Sequence, residues 1–288
     1  IVGSKALCFI VGPKKETIYA HSEVIASISK PLKVLINGDM SKAKSGIAKL
    51  PDLKTSSFLR FLEYMYTDNY RPSGPEVVPV EGDTKVNSHI SQPRTSHAQH
   101  SESDMASPVP SVAHSALPET RFLRRRRWYR GMGGPPYAPD LPPFTARENT
   151  GPQEDYSSVF LCHAKVYVFA DRYDMFHLKR LAGMKLRKML LAFKFNENRL
   201  GDIETLVKYT YENTTPREAG GTEGPLRWVV LDYPQTCVEQ LIGRAGFEEQ
   251  LAAYPVLARV LLWRMARDLD KISQTHLFEL AKRVQQRK

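Results

Sequence analysis

The chain has 288 residues and a mass of 32.7 kDa, with 42% hydrophobic and 25% charged residues. That is enough apolar sequence for a packed core and excludes global disorder. Forty-one Lys+Arg against 31 Asp+Glu give a net charge of +10 and a pI near 9.4. Cys8, Cys162 and Cys237 lie far apart, which excludes a disulfide framework or a CxxC metal knuckle and points to a reducing, intracellular setting, cytoplasmic or nuclear. No apolar run is long enough for a bilayer and no signal-peptide pattern occurs, so no membrane role is expected.

Ala6–Val11 and Glu16–Ala20 are short, strand-favouring runs joined by Gly12-Pro13-Lys14-Lys15, which predicts a β-hairpin. Residues 21–29 place Val24, Ile25 and Ile28 on one helical face, with Ser22 as the expected N-cap. Ser29-Lys30-Pro31 opens a second helix, whose Leu32, Leu35 and Ile36 share a face and which Gly38 can close. Ile47–Leu50 reads as a strand. Thr55-Ser56-Ser57 is expected to cap a third helix with a broad buried stripe of Phe58, Leu59, Phe61, Leu62, Met65 and Tyr66.

Residues 71–158 differ in kind. They hold 13 of the 20 prolines and 10 acidic against 10 basic residues, without apolar periodicity. Most of this stretch is expected to be a disordered insertion, because it cannot bury enough apolar surface to offset the entropy of ordering. Its strongest charge feature is Arg124-Arg125-Arg126-Arg127, followed by Trp128 and Tyr129. Such a run suits nuclear import, or contact with nucleic acid through phosphate pairing and base stacking. The alternative is a solvated linker. Beyond it, helices are expected from Asp202 to Tyr211, Cys237 to Ile242, Phe247 to Ala253, Val256 to Ala266 and Thr275 to Val284. Leu226–Leu231 fits a helix or a strand.

The order strand, strand, helix, helix, strand, helix, carried by these residues, resembles the BTB (POZ) domain. The resemblance rests on His21, Val24, Ile25, Ala26 and Ser29, on Gly38-Asp39-Met40, and on Leu50-Pro51-Asp52. It continues through Phe58, Phe61, Leu62, Tyr64, Tyr66 and Thr67, and through residues 166–190, which are similar to the family's closing helix pair. It implies an α+β BTB/POZ fold, short β-strands with a cluster of α-helices, followed by an all-α extension. The expected divisions are 1–70 and 159–195 for the domain, 71–158 for the insertion and 196–288 for the extension. Long insertions and helical extensions make the chain most similar to fungal-type members.

The resemblance further implies a non-enzymatic protein–protein interaction module that associates with itself or with a partner, such as the cullin scaffold of a ubiquitin ligase. Leu35, Met40, Tyr64 and Tyr66 are then expected to face the partner. The alternative is a basic nuclear factor that touches nucleic acid through Arg124–Arg127, although the rest of the basic excess is spread thinly over both ends of the chain. Two departures bear on this. Lys5 or Ala6 and Ser22 stand where repressor-type members form a charged pocket, and Met40-Ser41-Lys42 puts a lysine where cullin-binding members often carry a glutamate.

No catalytic constellation, cofactor motif or metal set is found. P-loop, dinucleotide, HExxH and GxSxG patterns are absent. His21 reads as structural. Cys162-His163 are adjacent in a helix and point in different directions, so a metal pair is not expected. Asn213-Thr214-Thr215 is a glycosylation sequon expected to be silent inside the cell.

Overall fold

The computed structural model describes residues 6–37, 46–79, 141–215 and 224–267, with side chains at 35–37 excepted. β1 (Ala6–Val11) and β2 (Glu16–His21) form the antiparallel hairpin, and β3 (Ile47–Leu50) joins β1 in parallel, giving the order β2-β1-β3. The two-residue period sends Leu7, Phe9 and Val11 inward with Ala20, Ala48 and Leu50. Gly12 turns the hairpin at φ +73°, where a Cβ would stand 3.1 Å from the Leu53 carbonyl oxygen, so both conformation and close approach call for glycine.

α1 (Ser22–Ile28) starts directly at the end of β2. His21, not the expected Ser22, occupies the N-cap position, because His21 is still paired across the sheet with Ala6. Ser29 separates α1 from α2 (Lys30–Asn37). Its Oγ accepts from the Leu32 N–H (3.2 Å), capping α2, and donates to the Tyr173 carbonyl (2.6 Å). A residue read locally as a helix start therefore also pins the far half of the chain.

α3 (Thr55–Thr67) lays Phe58 and Phe61 against Phe9 and Phe169, with Phe9–Phe58 and Phe61–Phe169 ring centroids each 4.9 Å apart. Lys54 is its N-cap, and no side chain caps it, contrary to the expectation for Thr55-Ser56-Ser57. Ser57 is buried instead.

The edges of the 71–158 stretch are ordered parts of the fold. β4 (Glu76–Val77) pairs with β5 (Glu154–Asp155), and residues 141–156 form a strap over the helices. Asn149 mimics a strand partner, accepting from the Lys194 N–H (2.6 Å) and donating to its carbonyl (3.0 Å). Buried Tyr156 anchors the strap against Phe160 and Phe193. Composition hid these anchors because each is a single apolar or amide residue among prolines. Residues 80–140, including Arg124–Arg127, lie outside the described residues.

α4 (Ser157–Arg172) and α5 (Phe176–Ala192) are joined by a short turn through Asp174 at φ 52°. α6 (Leu200–Asn213) packs on α4, and α7 (Pro225–Leu231) on α5 and α6. The Leu226–Leu231 alternative thus resolves to helix, with Arg227 buried over the Tyr211 ring at 4.2 Å. α8 (Val238–Leu241), α9 (Ala245–Ala253) and α10 (residues 255–267) follow. One continuous core runs from Leu7 to Leu261, so the C-terminal helices share the hydrophobic interior of the first half. The expected helix Thr275–Val284 lies outside the described residues.

Candidate interaction surface

α3 carries apolar residues nearly all the way round, more than one packed face can bury. Phe58, Phe61, Tyr64 and Met65 point into the core. Leu59, three residues before the partly buried Leu62 and seven before Tyr66, lies with them on the opposite face. Leu59 is 50% exposed and Tyr66 47%. The expectation of a single buried stripe containing both is therefore corrected. The sheet and α4 reach only one side of the helix, and the remaining apolar residues form a second, outward stripe.

Tyr66 is held in place. Its hydroxyl meets His21 Nδ1 at 2.8 Å and accepts from the His21 N–H at 3.3 Å, so the His21 imidazole orients a surface tyrosine. This confirms a structural part for His21. Tyr64, expected to face a partner, is only 8% exposed and sits in the core, with its hydroxyl pKa raised by burial and by Asp68. The side chain of Leu35, and all of Met40, lie outside the described residues. Val34, on α2, is a further exposed apolar residue, at 71% exposure.

A polar node lies beneath this surface, where α3 ends against α4 and α5. His163 is fully buried on α4, and its Nδ1 meets the Tyr70 hydroxyl at 2.7 Å. Its Nε2 is buried and, among the described residues, without a hydrogen-bond partner. Burial, reinforced by Lys185 and Arg60, holds its pKa down to about 3, so the ring is neutral. The Lys185 ammonium donates to Asn69 Oδ1 (2.6 Å) and to the Tyr70 carbonyl (2.5 Å) and lies 4.0 Å from the Tyr70 ring centroid. Burial lowers its pKa to about 8. Nothing in this node offers a reacting group to solvent: His163 is sealed and Lys185 is spent on carbonyls. It is a bolt that ties the end of α3 to the closing helices.

Sequence reasoning missed Leu59 as a surface residue, since its spacing equally fits a wide buried face. It also missed the Tyr70–His163–Lys185 node, whose members are up to 115 residues apart. Among the described residues no group of His, Cys, Asp or Glu could hold a metal ion, and no helix is long and apolar enough to cross a membrane.

Comparison with known proteins agrees with this architecture over the first quarter of the chain. The family model of the BTB/POZ domain matches residues 7–80, from β1 through α3 and β4. No curated protein matches the chain. A hairpin, two short helices, a parallel third strand and an aromatic helix, in that order and within that match, identify this chain as one that carries a BTB/POZ domain, a protein–protein interaction module.

Proposed function

We propose that the chain is a non-enzymatic adaptor that recruits a protein partner onto the outward face of α3. The observation that carries this reading is the pair of exposed residues Leu59 and Tyr66, flanking the partly buried Leu62, within the matched domain, with Tyr66 fixed by His21. Solvent-facing apolar side chains at helical spacing on a rigid helix are a suitable anchor for a partner, and a preoriented aromatic loses little entropy on binding. α4 and α5 complete the domain, because Ser29, Asn69 and Tyr70 all bond to groups on them or on the turn between them. The proposed partner class is a scaffold of the cullin type, with self-association as the other mode that the domain family supports.

The test is affinity purification of the tagged full chain from its own cells, followed by mass spectrometry. Two variants run alongside: a deletion of residues 81–139, which keeps β4, β5 and the strap, and Leu59→Glu, which loses no hydrogen bond. Cullin recovery by the wild type and the deletion, lost in Leu59→Glu, is the expected result. Self-association or other protein partners without a cullin retains the recruiting function and removes the ligase role. Partners unchanged by Leu59→Glu overturn the α3 stripe as the site.

A further inference from the structure

β2 is an outer strand of the sheet, paired with β1 on one side and, among the described residues, with no strand on the other. The direction of its main-chain groups follows from the bonds of β1. The Cys8 N–H donates to the Gly46 carbonyl (3.1 Å) and the Gly12 N–H to the Leu50 carbonyl (2.9 Å), so the even-numbered residues of β1 aim their main-chain groups at the β3 side. Their antiparallel partners then aim away from β1, which sets Thr17, Tyr19 and His21 toward the open edge. His21 bears this out, since its N–H leaves the sheet for the Tyr66 hydroxyl at 3.3 Å. That bond closes one end of the edge, and the turn after Val11 closes the other. Between them the N–H and C=O groups of Thr17 and Tyr19 have no hydrogen-bond partner among the described residues. Thr17 is exposed, and Tyr19 is 68% exposed.

We propose that this edge takes up an extended segment of a protein partner as a further strand, antiparallel to β2. Only an extended backbone presents N–H and C=O groups at the spacing of Thr17 and Tyr19, and in the antiparallel sense one residue exchanges both bonds with each of them. The residue between these two falls opposite Ile18, which is partly buried against the core, and an aliphatic side chain suits it. Its neighbours lie beside Thr17 and Tyr19 and suit β-branched side chains. The C-terminal end of the segment reaches the exposed Lys14 and Lys15, which outnumber Glu16 there, so an acidic residue fits at that end. A second copy fits less well. Pairing Thr17 of one copy with Tyr19 of the other sets Lys15 beside His21 and Glu16 opposite Ala20, with no carboxylate facing the basic ends. The site stands apart from the Leu59 face of α3 and does not depend on a cullin-type partner.

The experiment passes a degenerate peptide pool with a fixed Thr-Ile-Thr-Asp centre over the immobilised full chain. One companion pool is N-methylated on the two threonines, whose N–H groups face β2, and another on the isoleucine, whose N–H faces away. The protein variants are Thr17→Pro, Thr17→Ala and Leu59→Glu. Proline at position 17 removes an N–H that points away from β1, so it takes no bond from the native hairpin, and its urea midpoint should stay close to that of Thr17→Ala. The wild type should retain the unmodified and isoleucine-methylated pools alike. Methylation of the threonines, or Thr17→Pro, should weaken retention about tenfold, while Thr17→Ala and Leu59→Glu leave it unchanged. The methylated pools read the same contact without altering the protein, and the Leu59→Glu arm separates this site from the α3 face. No retention of the unmodified pool overturns the site, as does retention indifferent to threonine methylation. Equal loss in Thr17→Ala and Thr17→Pro overturns main-chain recognition. A concentration-dependent dimer of the wild type that Thr17→Pro abolishes overturns the assignment to a partner strand in favour of a second copy.

Discussion

Replacing His163 with asparagine isolates one buried titration. The Asn amide oxygen takes the place of Nδ1 as partner of the Tyr70 hydroxyl, 2.7 Å away in the wild type, but it cannot take up a proton. In the folded chain the imidazole stays neutral down to about pH 3, because burial and the Lys185 charge disfavour imidazolium. In the unfolded chain it protonates at its ordinary value of about 6.5. Between these values the unfolded state binds the extra proton, so the stability that His163 supports is complete above about pH 6.5 and is lost as pH falls. At about pH 5 the gap is roughly 1.5 pH units, and at ~1.4 kcal/mol per unit the wild type has lost about 2 kcal/mol from this group alone. The assay is urea unfolding of the full chain, followed by Trp228 and Trp263 fluorescence, at about pH 7.5 and about pH 5 for both proteins. The wild type should lose about 2 kcal/mol more than His163→Asn over that interval. Parallel losses in the two proteins refute the argument, for they would mean that His163 exchanges protons in the folded state as freely as in the unfolded one.

Lys185 gives a pH dependence of opposite range. Its folded pKa of about 8 lies below the ordinary lysine value, so the folded state gains stability as pH rises from about 8 towards 10, and Lys185→Met should lack that rise in the same unfolding assay. Asn149→Ala removes both bonds to the Lys194 backbone in a buried position and should cost about 1–3 kcal/mol, measured as a lower urea midpoint with unchanged slope. Arg264 is fully buried, 3.2 Å from Asp232 and 3.9 Å above the Trp228 ring, so Arg264→Ala should destabilise by about 3–5 kcal/mol, read by calorimetry as a lower melting temperature. Deleting residues 75–155 takes away β4, β5 and the Tyr156 approach and should lower the melting temperature by several degrees. Deleting 81–139 should leave it nearly unchanged.

Much of the order of elements was legible because local rules govern it. The alternation Leu7, Phe9, Val11 can only serve a half-buried strand, and Gly12-Pro13 can only break it. The apolar spacing of α6 needs no knowledge of partners to be read, whereas α4 and α5 were expected from the resemblance of residues 166–190 to a family helix pair. Caps were less legible. Ser22 and Thr55 have the right chemistry in the right places, yet the start of each helix was decided by neighbouring geometry: sheet pairing carries the strand through His21, and Lys54 ends the turn after β3.

The candidate sites were legible only in part. Tyr66 was singled out from sequence and is exposed, whereas Tyr64, two positions away, is buried. Both are tyrosines on a helix that is apolar nearly all the way round, and nothing local tells them apart. The strap over residues 141–156 was obscured in the same way, since a proline-rich stretch with two or three anchors has the composition of a linker.

The sequence by itself determined the hairpin, the helical succession, the likeness to the BTB/POZ domain and the absence of a recognisable catalytic motif, all of which depend on residues within one or two turns of one another. Only the tertiary structure decided which side of α3 faces outward and that Tyr70, His163 and Lys185 share one buried node. Each of these depends on contacts between segments distant in the chain, and their energy comes from burial and charge at a point where the local sequence carries no record of the other partner.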